Sequence, residues 1–218
     1  MTEASHAVKE ICPLCHSGDP AQFTESHKRI FYHCPSCDLR FVARRFKLSP
    51  EDEKKRYDLH RNDIHDVGYQ KFIQPIVDGV RDFYPKSAKG LDYGCGPSSV
   101  ATHLLSGLGY EVEIYDPHFF PKSKSLDRTY DFIVCSEVAE HFDRPNLDFQ
   151  QLKNLMGKKS HLFLMTLLWT EDVCWAEWAY ARDTTHLSFY SRRTFEWIRE
   201  QIGFEGLKFR GDRIIILN

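Results

Sequence analysis

The chain has 218 residues, 42% of them hydrophobic and 14% aromatic, which is enough for one mid-sized core and a small additional module but not for two full-sized domains. Its 29 basic and 31 acidic residues give a net charge of −2, so no overall positive charge attracts nucleic acid or anionic lipid. Apolar stretches stay well below the roughly 18 residues that span a bilayer, and the charged N-terminus lacks the apolar core of a secretion signal, so we expect a cytoplasmic protein without a membrane partner.

The first segment of the chain is predicted to bind a metal ion. It contains two Cys-Pro-x-Cys pairs, formed by Cys12, Cys15, Cys34 and Cys37. Each pair can occupy one edge of a tetrahedral ion, and four thiolates complete the coordination of Zn²⁺ without an open position. Three strand-like runs lie around the pairs, over residues 21–24, 30–33 and 39–43. The pattern predicts a small β zinc ribbon over residues 1–46, with iron as the alternative ion.

Two helices are predicted over residues 47–86. Ser49 is a helix-capping residue, Pro50 suits the first helical position and acidic residues fill the first turn, which predicts a helix to about Leu59. From Tyr69 to Tyr84, apolar residues recur three and four positions apart, which predicts an amphipathic helix.

The remaining residues, 87–218, alternate between strand and helix patterns. Strands are predicted over 90–93, 112–115, 132–135, 162–166, 207–209 and 213–217. Helices are predicted over 100–108, 147–156 and 193–202. This order predicts an α/β domain with a parallel sheet, crossover helices and an antiparallel edge.

A glycine-rich turn follows the first strand of this domain, where the sequence reads GLDYGCGPS from residue 90. Glycines at 94 and 96 let a ligand approach the backbone, and the following helix offers unpaired N–H groups. The second strand ends in Asp116, the placement of acids that hold ribose hydroxyls in Rossmann-like folds. Serine stands where a dinucleotide fingerprint has its third glycine, so the pattern favours a single nucleoside over NAD.

Residues 91–96 (LDYGCG), Asp116 and residues 130–142 (YDFIVCSEVAEHF) resemble motifs I, II and IV of class I S-adenosylmethionine-dependent methyltransferases. The resemblance covers residues 87–217, and the run W-x-Y-x-x-D-x-x-H-x-x-F-Y over residues 178–190 is similar to that of a bacterial subgroup of this family with N-terminal cysteine pairs. It implies a Rossmann-like sheet and S-adenosylmethionine as cofactor. The cofactor would be held by Asp92, Gly94, Gly96, Asp116, Ser136 and Glu137. An acid at Asp92 suits the cationic amino group of the methionine end, and Asp116 suits the ribose diol.

The chain departs from this family after the second strand. Only fourteen residues separate Asp116 from Asp131, where the family usually has a helix and a third strand. We therefore expect a shortened sheet, and we expect adenine to be held by Pro117, Phe119 or Leu126.

Two histidines are candidates for a general base. His141 follows Glu137 by four positions, so on a helix both would face one cleft and the carboxylate would orient the imidazole; a packing role is the alternative. In the resembling family the region before the catalytic domain often forms a helical lid, which makes His60 the second candidate. Capping of a solvent-exposed helix end would equally explain His60. For His186 we expect a loop hydrogen bond.

The sequence thus predicts a methyltransferase with a small-molecule acceptor, in which a methyl group is transferred by an SN2 step inside a lidded pocket. One alternative is an RNA methyltransferase that uses the basic residues after the ribbon and a tryptophan- and tyrosine-rich run to bind nucleic acid. These residues are Arg40, Arg44, Arg45 and Lys47, with Trp169, Trp175, Trp178, Tyr180, Phe189 and Tyr190. The aromatic residues could instead line an apolar acceptor pocket or pack in the core. A second alternative is a non-catalytic zinc-ribbon interaction protein. The acceptor, the methylated atom and the oligomeric state do not follow from the sequence.

Overall fold

The structure is a computed structural model and describes residues 10–59, 63–121 and 123–218. Its N-terminal part contains three antiparallel strands followed by two helices. These are β1 (Ala21–Ser26), β2 (Arg29–His33), β3 (Arg40–Val42), α1 (Pro50–Tyr57) and α2 (Val67–Phe83). Helix α1 begins as predicted, because the Ser49 side chain accepts a hydrogen bond from the Asp52 N–H and Pro50 occupies the first turn. No helix of the described residues is long and apolar enough to cross a membrane.

The rest of the chain forms an α/β domain. Its strands are β4 (Lys89–Tyr93), β5 (Glu111–Tyr115), β6 (Tyr130–Ser136), β7 (Met156–Met165), β8 (Ser188–Phe189), β9 (Leu207–Arg210) and β10 (Ile214–Leu217). Its helices are α3 (Val100–Gly107), α4 (Pro145–Asn154) and α5 (Arg192–Ile198). Helix α4 ends earlier than predicted because Met156 pairs with Tyr130 at the start of β7.

The central sheet has six strands in the order β5-β4-β6-β7-β10-β9. Strands β5, β4, β6 and β7 pair in parallel, whereas β10 pairs antiparallel with both β7 and β9. The predicted α/β sheet is thereby confirmed. Strand β5 lies at the edge, and the chain between Asp116 and β6 makes one isolated bridge to Phe120 and one 3₁₀ turn, Ser123–Leu126. The sheet is therefore shortened at this edge, as the sequence predicts.

Apolar side chains cover both faces of the central sheet. One face packs against α2, whose buried residues Ile73, Ile76, Val77 and Val80 follow the predicted helical spacing. The other face packs against α4 and α5. Gly90 in β4 lies directly against the Phe132 ring, 2.2 Å from where a Cβ atom would stand, so this contact requires glycine.

The N-terminal sheet is completed by a strand from the α/β domain. Its order is β1-β2-β3-β8, with Arg40 opposite Phe189. Arg29 of β2 is 4% exposed, and its guanidinium donates to the backbone carbonyls of residues 181, 183, 184 and 186 at 2.6–3.4 Å. The carboxylate of Asp38 accepts a hydrogen bond from the Ser191 hydroxyl. The ribbon and the α/β domain thus share one folded interface.

The tryptophan- and tyrosine-rich run packs in that interface. Trp169, Trp175 and Phe189 are buried together with Phe31 of β2, so they neither stack bases nor line an acceptor pocket. The Arg40 guanidinium is 3.6 Å from the Trp169 ring centroid and is also buried. It therefore does not contribute to the surface path of positive charge that an RNA methyltransferase would need.

Candidate active site and four-cysteine centre

A cavity of about 670 Å³ opens at the carboxyl ends of β4, β5 and β6. This is where parallel α/β sheets bind their ligands, and the volume is within the range of small-molecule sites. The predicted cofactor residues Asp92, Gly94, Gly96, Asp116, Pro117, Ser136 and Glu137 all line this cavity, as do His141 and Phe119. Leu126 does not line it and packs against the core instead.

The glycine turn after β4 has left-handed backbone at both glycines, with φ of 75° at Gly94 and 62° at Gly96. The N–H groups of Gly94 and Cys95 donate to the Tyr115 carbonyl, which attaches the turn to β5. A Cβ atom at Gly94 would stand 2.6 Å from Val138, whereas one at Gly96 would meet no atom within 4 Å among the described residues. Gly94 is therefore required by packing, and Gly96 leaves open space at the cavity wall.

Asp116 ends β5 and is 7% exposed. Its Oδ2 accepts the Gly96 N–H at 3.0 Å, and its Oδ1 accepts the N–H groups of His118 and Phe119 at 2.8 and 3.0 Å. A carboxylate offers about four lone-pair sites. Asp116 therefore holds the glycine turn against the following loop and still has capacity for a ligand hydroxyl.

Asp92 in β4 is almost completely buried, at 2% exposure. Its Oδ2 accepts the Thr102 hydroxyl at 2.8 Å and the Thr102 N–H at 3.3 Å. Burial raises the pKa of Asp92 to about 6, and the two hydrogen bonds from Thr102 oppose that shift. The cavity thus has a buried acid at its base.

Glu137 does not orient His141, contrary to the expected pairing. The backbone at Glu137 is left-handed, with φ of 53°, and residues Ala139–His141 form a 3₁₀ turn instead of an α-helix. Its carboxylate accepts two hydrogen bonds from Arg213, at 3.0 and 3.1 Å. The His141 Nδ1 is 3.1 Å from the Thr185 carbonyl oxygen, which therefore orients this ring.

Two further side chains beside His141 were not predicted as a group. Glu140 is fully buried, and its Oε2 accepts the Thr166 hydroxyl at 3.0 Å. His186 is 9% exposed, and its Nδ1 is 2.7 Å from the Tyr180 carbonyl oxygen. Burial raises the pKa of Glu140 and lowers the pKa of both histidines, so both imidazoles are neutral at neutral pH. Sequence spacing gives no signal for this cluster because His186 comes from a distant loop.

Helix α1 contributes Glu53 and Tyr57 to the cavity wall. The Tyr57 ring is centred 5.3 Å from the His141 ring and 5.5 Å from the His118 ring. The carboxylate of Glu53 is 3.5 Å from His118 Nε2. His60, the second candidate base, lies outside the described residues.

The four cysteines of the ribbon form a compact cluster. The Sγ atoms of Cys12 and Cys37 are 3.5 Å apart, those of Cys15 and Cys34 are 3.4 Å apart, and all four lie within 4.8 Å of one another. Four sulfurs bound tetrahedrally to Zn²⁺ at about 2.3 Å stand about 3.8 Å apart. The observed distances therefore fit a four-thiolate zinc site.

A glycine turn and an acid at neighbouring strand ends are typical of α/β proteins that bind a nucleoside cofactor. A family model described as a methyltransferase domain matches residues 65–208, and the chain belongs to this family. The prediction of a methyltransferase is thereby confirmed. No curated protein matches the chain.

Solved methyltransferase structures share the fold at low sequence identity. An N1-methyltransferase from Burkholderia thailandensis, solved with 1,6-didemethyltoxoflavin and S-adenosylhomocysteine, is similar at 11% identity and a TM-score of 0.55 over 91% of this chain and 97% of its own. Magnesium protoporphyrin IX methyltransferase from Synechocystis is 17% identical, with a TM-score of 0.52 over 79% and 94%. A methyltransferase from Archaeoglobus fulgidus is 18% identical, with a TM-score of 0.51 over 64% and 71%.

Proposed function

We propose that this protein transfers a methyl group from S-adenosylmethionine to a small-molecule acceptor inside the cavity. The observation that carries the proposal is the glycine turn joined to Asp116 at the carboxyl ends of adjacent strands, with a cavity of about 670 Å³ in front of them. Two structurally similar proteins are named for small-molecule acceptors and were solved with S-adenosylhomocysteine. The similarity in fold to these two methyltransferases supports a small-molecule acceptor for this protein as well.

The cofactor would lie across the ends of β4 and β5. Asp92 and the two turn glycines would receive the methionine end, where a carboxylate favours the cationic amino group. Asp116 would accept hydrogen bonds from the ribose hydroxyls through its remaining lone pairs. Pro117 and Phe119 would contact adenine, because they line the cavity directly after Asp116.

The part of the cavity in which the methyl group is transferred, the methyl-transfer chamber, would then lie at the carboxyl end of β6, beside Ser136 and Glu137. In the transfer step, a bond forms between the acceptor nucleophile and the methyl carbon while the carbon–sulfur bond breaks, and its electron pair stays on sulfur. In-line positioning in a dry pocket supplies much of the rate. We propose that Arg213 holds Glu137 in place, because it donates two hydrogen bonds to that side chain. The same contact opposes the rise in the Glu137 pKa, to about 8, that burial and the neighbouring Glu140 cause.

His141 is the residue that we assign to activation of the acceptor. Its Nδ1 faces a backbone carbonyl oxygen, which can only accept, so this nitrogen carries the hydrogen and Nε2 keeps a lone pair. A neutral imidazole can take a proton from an acceptor hydroxyl at neutral pH. His60 remains a second candidate for this role.

Helix α1 would act as the lid over this chamber, because Tyr57 already contacts the His141 ring. The four cysteines would hold one structural Zn²⁺, which supplies no open coordination position and no chemistry. Cysteines that bind zinc instead of pairing in disulfides are typical of a reducing compartment, which supports the cytoplasm as the location. The division into a ribbon (1–46), a helical linker and lid (47–86) and a catalytic domain (87–218) is retained as part of this proposal.

Calorimetric titration with S-adenosylhomocysteine tests the cofactor assignment. Asp116→Ala should weaken binding by roughly 10- to 100-fold, the equivalent of about 1.5–3 kcal/mol for lost charge-assisted hydrogen bonds. Asp116→Asn is the second variant, because it retains an acceptor oxygen for the loop. The matched control is Glu111→Gln, at the exposed start of the same strand, and it should bind like the wild type. Absence of binding to the wild type, or equal affinity of the Asp116 variants and the control, would overturn the assignment.

A further inference from the structure

Three side chains at the cavity wall form a cluster with the composition of a metal site. One carboxylate oxygen of Glu140 and one ring nitrogen each of His141 and His186 lie within 4.8 Å of one another. The two imidazole rings are centred 4.9 Å apart and are nearly perpendicular, at 73°. All three residues line the same cavity as the proposed cofactor site.

The hydrogen bonds of both histidines leave the same nitrogen free. The Nδ1 atoms of His141 and His186 face the backbone carbonyl oxygens of Thr185 and Tyr180, at 3.1 and 2.7 Å. Since a carbonyl oxygen accepts only, each Nδ1 carries the hydrogen and each Nε2 keeps its lone pair. Histidines that bind metals usually donate their other ring N–H to a carbonyl or carboxylate in this way.

Glu140 provides an independent observation. Its carboxylate accepts hydrogen bonds from the Thr166 hydroxyl, through Oε2, and from the Tyr180 hydroxyl. The buried Oε1 has no partner at hydrogen-bond geometry among the residues that the structure describes. Leaving a buried carboxylate oxygen without a partner is costly. A cation held between Glu140 and the two histidines would compensate for that cost.

We propose that Glu140, His141 and His186 bind a divalent transition-metal ion, Zn²⁺ in the first place. Two imidazoles and one carboxylate are the protein ligands of one type of catalytic zinc site, which keeps a further position open. Bound ligand atoms lie about 2.0–2.2 Å from zinc, so small side-chain rotations would bring these three atoms into contact with one ion. The open position would face the cavity, next to Tyr57 of helix α1.

The role of this ion rests on the proposed methyl transfer. A hydroxyl-bearing acceptor would bind the ion through its oxygen, and the ion would lower the pKa of that hydroxyl. The hydroxyl proton would pass to solvent, the oxygen would form the bond to the methyl carbon, and the carbon–sulfur electron pair would remain on sulfur. In this state His141 serves as a ligand and no base is needed. The inference therefore narrows the acceptor class to hydroxyl compounds.

Metal analysis of the full-length protein tests the site without any methyl-transfer assay. The purified chain is incubated with Zn²⁺, freed of excess ion by desalting and analysed for zinc per chain. We expect two zinc ions in the wild type and one in both Glu140→Gln and His186→Gln. His118→Gln, a histidine variant in the same cavity outside the cluster, should retain two. A wild type with one zinc ion, or cluster variants that retain two, would overturn the proposal and leave His141 available as a base.

X-ray absorption of the zinc-loaded wild type covers the case in which the cluster variants do not fold. The four-cysteine site alone gives only zinc–sulfur distances of about 2.3 Å, whereas two sites add nitrogen and oxygen ligands at about 2.0–2.2 Å in equal population. A spectrum with sulfur ligands alone would overturn the proposal. Calorimetry with S-adenosylhomocysteine separates this failure from that of the proposed function, because the cluster variants should still bind it with wild-type affinity.

Discussion

Replacing Asp92 by asparagine should make the cofactor-free protein more stable while weakening cofactor binding. Burial raises the pKa of Asp92 from its ordinary 3.8 to about 6, so the native state holds a proton more tightly than the unfolded state does. The free energy of unfolding of the wild type therefore falls as the pH rises from about 4 to about 6, and above that range the whole loss of stability is present. A gap of about 2 units corresponds to about 3 kcal/mol. Asparagine is neutral throughout and avoids this cost.

Urea unfolding of both proteins between pH 4.5 and pH 8 measures the effect. The Asp92→Asn protein should gain up to about 3 kcal/mol at pH 8, or roughly 6–12 °C in Tm for a chain of this size, and the gain should shrink toward pH 4.5. The asparagine oxygen can still accept both hydrogen bonds from Thr102. Asp131→Asn, at an exposed carboxylate bonded to the Lys89 N–H, is the control for loss of an acid. A stability difference that is the same at every pH would refute the reasoning, as would unchanged affinity for S-adenosylmethionine.

Three further outcomes are expected. Cys34→Ser should abolish the zinc binding that we propose for the ribbon and lower the Tm of the whole chain in one calorimetric transition, because β3 pairs with β8. A separate ribbon transition would contradict this. Tyr57→Ala removes the lid contact with His141, so S-adenosylhomocysteine should dissociate several-fold faster in stopped-flow experiments, whereas an unchanged rate would exclude a lid role. Arg29→Met leaves four backbone carbonyls without their donor and should cost roughly 3–5 kcal/mol in urea unfolding, because each buried acceptor left unsatisfied costs about 1–3 kcal/mol. A loss below about 1 kcal/mol would show that water replaces the guanidinium.

The order of strands and helices could be predicted because the signals are local. Ser49 and Pro50 mark the start of α1, and the spacing of apolar residues from Ile73 to Val80 marks the buried face of α2. The short connection after Asp116 predicts a sheet without a third strand, and β5 is the edge strand. The boundary of α4 was less accurate, since strand pairing at Met156 ends the helix through a contact that its own sequence does not encode.

The cofactor side of the candidate site follows from short motifs, and the acceptor side does not. Gly96 and Asp116 are twenty positions apart yet joined by one hydrogen bond, an arrangement that the strand–turn–strand pattern implies. The pairing of Glu137 with Arg213 and of Glu140 with His186 brings together residues from different parts of the chain. Glu140 meets His186 because the loop after β7 folds back, and Glu137 meets Arg213 because β10 pairs with β7. No local spacing describes either contact.

The loop after β7 connects the ribbon to the side of the cavity that Glu140, His141 and His186 line. Arg29 fixes the backbone of residues 181–186 through four hydrogen bonds, and β8 follows immediately as the last strand of the ribbon sheet. His186 is one of these bonded residues and stands two positions before β8, and the Thr185 carbonyl that orients His141 belongs to the same segment. The contacts of the ribbon with this segment therefore set where His186 and the carbonyl that orients His141 lie at the cavity wall.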